Sequence, residues 1–195
     1  MRDFNVPELG SATPQRGNRV SALAAGFYLR TFGWSFEGVV PNVSKAVIIV
    51  APHTSNWDFF NGVAVMFALG LRVVFLGKHT LFTWPLGPVM RWLGGVPVNR
   101  REARGVVDDT VEMFAARDQM ILGLAPEGTR GSVERWKTGF YYVALESGVP
   151  IVPVAFDYRR RVIRFGVRFD PTGDLEEDLR VLESYFFGIE GRRDP

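Results

Sequence analysis

Four short apolar runs, 46–51, 72–77, 120–124 and 150–156, are separated by stretches of helical length or spacing at 57–69, 84–93, 105–117 and 138–147. Within the third of these stretches, Val107, Val111 and Phe114 fall at i, i+4 and i+7, the stripe of one helix face. Strands alternating with helices predict an α/β fold: a single domain with a mixed, mostly parallel sheet flanked by helices. The 195 residues suffice for one well-buried domain and are few for two. Gly148 stands where the helix over 138–147 needs a C-cap. Near the end, "RVIRFGVRF" sets Ile163, Phe165, Val167 and Phe169 against Arg164, Gly166 and Arg168, the alternation of a half-exposed strand lying antiparallel or at an edge. A last helix is expected from Asp174 to Phe187, after the "DPTGD" turn. Residues 1–18, broken by Pro7, Gly10, Pro14 and Gly17, read as a flexible N-terminal arm ahead of one domain over 19–195.

Several function classes are excluded or disfavoured by residue usage. There is no cysteine, so disulfides, thiolate metal sites and cysteine nucleophiles are out, and a zinc site would have to rely mostly on carboxylates. No metal is expected. "GLRVVFLGKHT" has a Gly-Lys pair, but His79 stands where a phosphate loop needs Ser or Thr, and no Gly-x-Ser-x-Gly elbow occurs. A net charge of +2 and the lack of a recognised module argue against nucleic acid as a partner. The longest apolar stretches, "VSALAAGFYL" and "FFNGVAVMFALGL", are too short for membrane-spanning helices, and Arg30 follows the first without a small-residue cleavage site. A cytoplasmic location is the expectation. Arg supplies 20 of the 23 basic residues, a usage compatible with anionic partners and equally with codon bias.

Three stretches bear chemistry. In "APHTSNWDFF", His53 follows the strand "AVIIVA" and Asp58 lies where helical sequence begins, so both fall at a strand's carboxyl end, where open α/β sheets bind ligands. A loop folding into a helix would let Asp58 hold one ring nitrogen of His53 while the other accepts a proton. The same spacing also fits a variant capping box of Ser55 and Asp58, with His53 a loop residue. In "LGLAPEGTRG", another strand runs into Glu127, Gly128, Thr129 and Arg130. Gly128 permits a tight turn, Arg130 suits a phosphate, and Glu127 suits an acceptor or the bracing of a neighbouring loop; an ordinary turn with a surface Arg fits too. In "GGVPVNRREARG", Arg100, Arg101 and Arg104 cluster ahead of a helix start, which suggests either a nearby anion or a solvated charged face. Lys137 in "WKTGFYY" precedes a further helix start and has the same two readings.

Taken together and in order, "PHTSNWD", "GGVPVNR", "PEGTR" and "VPIVPVAF" resemble the four blocks of the glycerolipid acyltransferase family, the group containing lysophosphatidic acid acyltransferases. The resemblance runs from about residue 45 to 157 and includes "GKHTLFTWPLGPVMRWLGG". It implies His53 as general base and Asp58 as its orienting partner. It further implies that Arg100, Glu127, Gly128, Thr129 and Arg130 bind the acceptor, with Arg100 and Arg130 on its phosphate, and that Pro150 and Pro153 shape a pocket. Lys78 and Lys137 fall in similar contexts and are candidates for phosphate or carrier contact. The implied reaction moves an acyl group from acyl-CoA or acyl-carrier protein to the hydroxyl of a lysophospholipid acceptor, most simply 1-acylglycerol-3-phosphate, giving phosphatidic acid. No cofactor is implied. Another lyso-lipid acceptor, such as a lyso-amino-acid lipid, a catalytically silent lipid-binding role and a thioesterase are the competing readings.

The chain also departs from that pattern. It lacks the obvious N-terminal membrane helix of some relatives, so attachment to the membrane surface is expected to be peripheral, on the inner face of the cell membrane. The segments "RVSALAAGFYLRTFGWSF", "FFNGVAVMFALGL" and "LFTWPLGPVMRWLGG" would supply it, with Trp34, Trp84 and Trp92 at headgroup level, unless these aromatics are core. Asn99 stands where many relatives are acidic, and Gly131 replaces a common Ser; both bear on acceptor identity.

Overall fold

The computed structural model describes residues 4–98, 103–128 and 135–192. In chain order the main elements are α1 (Arg19–Thr31), β1 (Ser35–Glu37), β2 (Lys45–Ala51), α2 (Trp57–Leu69), β3 (Val73–Lys78) and α3 (Leu86–Trp92). They continue with β4 (Gly95–Val98), α4 (Ala103–Ala115), β5 (Met120–Leu124), α5 (Gly139–Ser147), β6 (Ile151–Asp157), β7 (Val162–Phe165) and α6 (Leu175–Ser184). Among the described residues the strands form one seven-stranded sheet in the order β1-β7-β6-β2-β5-β3-β4. Every pairing is parallel except β6 with β7. The fold is therefore the α/β domain with a mostly parallel sheet that the sequence predicts.

The sheet is buried on both faces, which is why its central strands are apolar at nearly every position. Ala46 and Ile48 of β2 pack with Leu29 of α1 and with Val65, Met66 and Leu69 of α2. Val47 and Ile49, one residue out of phase, face Phe114 of α4, Phe140, Tyr141 and Ala144 of α5 and Leu182 of α6. Gly148 adopts the left-handed conformation (φ 62°) after α5, the expected C-cap.

Three expectations need correction. The segment expected to be a flexible arm is tied down: Gln15 bridges Leu71, the Arg16 N–H donates to the Gly70 carbonyl and the Arg72 N–H to that of Pro14. Phe4, Val6 and Leu9 pack on the core, and the Arg16 guanidinium lies over the Phe67 and Trp92 rings while donating to the Trp92 and Leu93 carbonyls. The apolar residues in this Pro- and Gly-rich segment thus have a surface to cover. The "RVIRFGVRF" alternation stops early. β7 ends at Phe165; the Gly166 N–H still donates to the Pro153 carbonyl and Phe169 pairs again with Ile151, but Val167 between them is 86% exposed. Of the two placements expected for this strand the antiparallel one holds, since β7 pairs antiparallel with β6; it is not an edge, because the short β1 pairs alongside it. Finally, Trp34 is buried, packed edge-on to Phe156 and Tyr158, and so is core rather than a headgroup anchor.

Candidate active site

Because β2, β3, β5 and β6 run parallel to one another, their carboxyl ends lie at one edge of the sheet. Lys78 ends β3, His53 follows β2, Glu127 follows β5 and Tyr158 follows β6. Four side chains distant in sequence are thereby gathered at one edge, where the crevice of an open α/β sheet forms.

Beyond the loop after β2, Asp58 reaches both the backbone ahead of the helix and the ring of His53. Asp58 sits in the first turn of α2, whose N-cap is Asn56, and its Oδ2 reaches back to accept the Ser55 N–H at 2.7 Å, as the acidic residue of a capping box does one position out of register. Trp57 N–H donates to Ser55 Oγ at 3.2 Å, so this serine and aspartate satisfy donors at the helix start. The same Oδ2 lies 3.4 Å from His53 Nδ1, with the carboxylate side chain 1% exposed and the imidazole 22% exposed. A carboxylate fixed by the helix start and facing Nδ1 selects the tautomer with its proton on that nitrogen.

Glu127 secures the loop from the other side. Both its carboxylate oxygens accept the His53 backbone N–H, at 3.0 and 2.8 Å, and the residue is buried. Of its two sequence readings, the described geometry supplies the bracing of a neighbouring loop. A cavity of about 770 Å³ opens here, within the roughly 300–1,000 Å³ of small-molecule sites. Its walls are largely apolar, including Phe59, Met66, Phe75, Leu81, Val107 and Phe140, while His53, Asp58, Lys78 and Lys137 are among its polar and charged groups. An apolar pocket with a few converging polar groups suits a ligand with a long hydrocarbon part and a charged end.

A family model described as Acyltransferase matches residues 35–157, which include His53, Asp58 and Glu127. The chain belongs to the acyltransferase family. It is 30% identical over 183 residues to the 1-acyl-sn-glycerol-3-phosphate acyltransferase of Haemophilus influenzae, covering 83% of this chain and 75% of that one. Identity to the beta form from Homo sapiens is 34% over 174 residues, covering 82% of this chain and 60% of that protein. The Escherichia coli enzyme of the same name is 31% identical over 133 residues, 63% of this chain and 53% of that one. The crystal structure of the 1-acyl-sn-glycerophosphate acyltransferase PlsC from Thermotoga maritima shares the fold, with a TM-score of 0.60 at 18% identity over 91% of this chain and 80% of that chain.

Within this acyltransferase domain the remaining predicted site residues separate into two groups. Gly128 turns in the left-handed conformation (φ 65°), and a Cβ there would meet the Lys137 side chain at 2.7–3.0 Å, so the glycine gives the lysine its place beside the cavity. Lys78 reaches the same cavity from the end of β3. Arg100, Thr129 and Arg130 lie outside the described residues, as do Arg101, Asn99 and Gly131.

Sequence reasoning missed Tyr158. Its hydroxyl donates to Asp58 Oδ1 at 2.5 Å and accepts from Asn61 Nδ2 at 2.9 Å; Asn61 Oδ1 in turn accepts from the Tyr28 hydroxyl at 3.2 Å. Burial and then the Asp58 carboxylate push the Tyr158 hydroxyl well above the ordinary tyrosine range, so it remains a donor at neutral pH. One signal for it was present: Tyr158 lies just past a strand whose carboxyl end had to share the edge with His53.

Proposed function

We propose that the protein transfers a fatty acyl group from a thioester donor, acyl-CoA or acyl-carrier protein, to the free hydroxyl of 1-acylglycerol-3-phosphate, giving phosphatidic acid. The observation that carries this reading is the His53–Asp58 pair set against a large apolar cavity flanked by lysines. Relatives that carry the 1-acyl-sn-glycerol-3-phosphate acyltransferase name support the choice of acceptor. In the proposed reaction His53 Nε2 takes the acceptor's hydroxyl proton as its oxygen attacks the thioester carbonyl. The tetrahedral intermediate collapses, the C–S bond breaks, and the imidazolium returns the proton to the departing thiolate. Asp58 steadies the imidazolium while it exists. Lys78 and Lys137, with Arg100 and Arg130, would neutralise the acceptor phosphate or the donor's own phosphates. Neither a metal nor an organic cofactor enters any step.

The membrane surface is the proposed workplace, since both the acceptor and the product are lipids. No helix among the described residues is long and apolar enough to cross a membrane. Exposed apolar side chains support peripheral attachment at the inner face of the cell membrane. Val20, Leu23 and Phe27 on α1 are each about three quarters exposed, and Trp84, Leu86 and Trp92 around α3 are more than half exposed. Such side chains, with arginines nearby, suit the headgroup and acyl boundary.

The deciding experiment measures carrier release by wild type and His53→Ala over a panel of acyl-CoA and acyl-carrier-protein donors, with and without the lysolipid. Release that needs both His53 and lysophosphatidic acid, with phosphatidic acid formed, is expected. Release at full rate without acceptor would make the protein a thioesterase, and dependence on a different lysolipid would replace the acceptor.

A further inference from the structure

Asp58 is held by more than the helix it starts. One of its oxygens, Oδ2, takes the Ser55 N–H at 2.7 Å and faces His53 Nδ1 at 3.4 Å. The other, Oδ1, takes the Tyr158 hydroxyl at 2.5 Å. A carboxylate turns easily about its last bond, because that torsion has broad wells. Strong donors on both oxygens therefore define its plane, and with it the direction from which Oδ2 meets the imidazole.

The hydroxyl is itself held. Asn61 is three residues after Asp58 on α2, so the two side chains lie on the same helix face and grip one hydroxyl between them. The Tyr28 hydroxyl fixes the Asn61 amide from α1, and Trp34 meets the Tyr158 ring edge-on at 5.0 Å. A polar chain anchored on two buried side chains, Asp58 and Asn61, with each member partnered, favours one arrangement over others. Tyr158 also lies one residue beyond the span matched by the family model.

We propose that Tyr158, braced by Asn61 and Tyr28, is a positioning residue for acyl transfer: its hydroxyl sets the carboxylate of Asp58 in the orientation that holds His53 as the base. The inference rests on the reading of His53 and Asp58 as the catalytic pair. Tyr158 does no chemistry on the substrate; its effect passes through Asp58.

That route dictates the test. Tyr158→Phe, Asp58→Asn and the double variant would be assayed for acyl transfer to lysophosphatidic acid, with kcat, both KM values and Tm measured for each. Tyr158→Phe keeps the ring against Trp34 and removes only the hydroxyl. Loss of a hydrogen bond to a charged group predicts a fall in kcat of about ten-fold or somewhat more, with KM little changed and Tm lowered modestly, because Asp58 Oδ1 and Asn61 Nδ2 each lose a partner. In the Asp58→Asn background the same change should have almost no further effect, because the carboxylate it positions is gone. Asn61→Ala, a second variant, should give a smaller fall in kcat that also disappears in the Asp58→Asn background.

Wild-type kcat in Tyr158→Phe would overturn the proposal, as would an equal loss with and without Asp58, which would mark the tyrosine as structural only. Full turnover in His53→Ala would instead overturn the catalytic reading of the pair on which the proposal stands.

Discussion

Two tyrosine–aspartate pairs stand out among the described residues, and their surroundings differ. Near the cavity, the Tyr158 hydroxyl donates to Asp58, whose other oxygen faces His53. On the far side of the sheet, the Tyr141 hydroxyl of α5 donates to Asp178 of α6 at 2.8 Å. There the aspartate's remaining capacity goes to the Thr172 N–H and hydroxyl at 2.7 and 2.9 Å, and the Gly173 N–H closes back on Tyr141 Oη at 3.0 Å. Both aspartates are buried. The difference is the last partner: at Asp58 it is an imidazole beside an apolar cavity, and at Asp178 it is the backbone and side chain of a turn. A buried carboxylate given only fixed donors is a fastener, whereas one that keeps an oxygen against a titratable ring can take part in proton transfer.

Asp58→Asn should therefore break the first pair as chemistry. The amide cannot offset the charge of an imidazolium, so turnover per folded molecule should fall by about a hundred-fold or more, beside a stability loss of the kind expected where a buried carboxylate accepts from the Ser55 N–H and the Tyr158 hydroxyl. Steady-state rates alongside thermal melts check this; near wild-type turnover would put Asp58 on the same footing as Asp178. Asp178→Asn should cost stability only. Losing a charged acceptor for several buried donors should cost about 2–3 kcal/mol, visible in denaturant unfolding, with turnover per folded molecule unchanged. A turnover loss there would mean that the two pairs are coupled through α5.

The order and class of most elements were legible because periodicity reports burial. Strands 46–51 and 120–124 were readable as apolar runs because β2 and β5 are covered on both faces. The strands that escaped are short and lean on partners: β1 has three residues and β4, with Gly95 and Pro97, has four. Their pairing comes from β7 and β3, which no local pattern reveals. Within the site, a contact between His53 and Asp58 was one of two readings open to their local spacing, and the resemblance to the four acyltransferase blocks is what favoured it. Glu127 was seen as important, yet its grip on the His53 N–H spans 74 positions and is a product of the sheet order. Tyr158 is a hundred positions from Asp58 and went unseen for the same reason. The tie of residues 14–16 to the segment after α2 was hidden by Pro and Gly, which locally suggest a loose chain.

Tyr141→Phe sharpens the comparison from the other partner and should be milder. The ring still fills its buried site, so the loss is the hydrogen bond to Asp178 and the acceptor for the Gly173 N–H, together about 1–2 kcal/mol.

The smallest effect is in how the Asp178→Asn penalty depends on pH. Burial alone would push the Asp178 carboxyl up, but the Thr172 N–H and the Tyr141 and Thr172 hydroxyls outweigh it and hold the group below its ordinary value of 3.8. A carboxyl depressed on folding contributes stability that is fully present above the unfolded value and is lost as pH falls through the folded one. The stability gap between wild type and Asp178→Asn should thus be constant from neutral pH down to about pH 5 and should narrow only below about pH 4. Denaturant midpoints measured from pH 7 to pH 3 test this. A gap that instead widened on acidification would mean that Asp178 is held in its neutral form, and the two aspartates would then differ in charge as well as in partner.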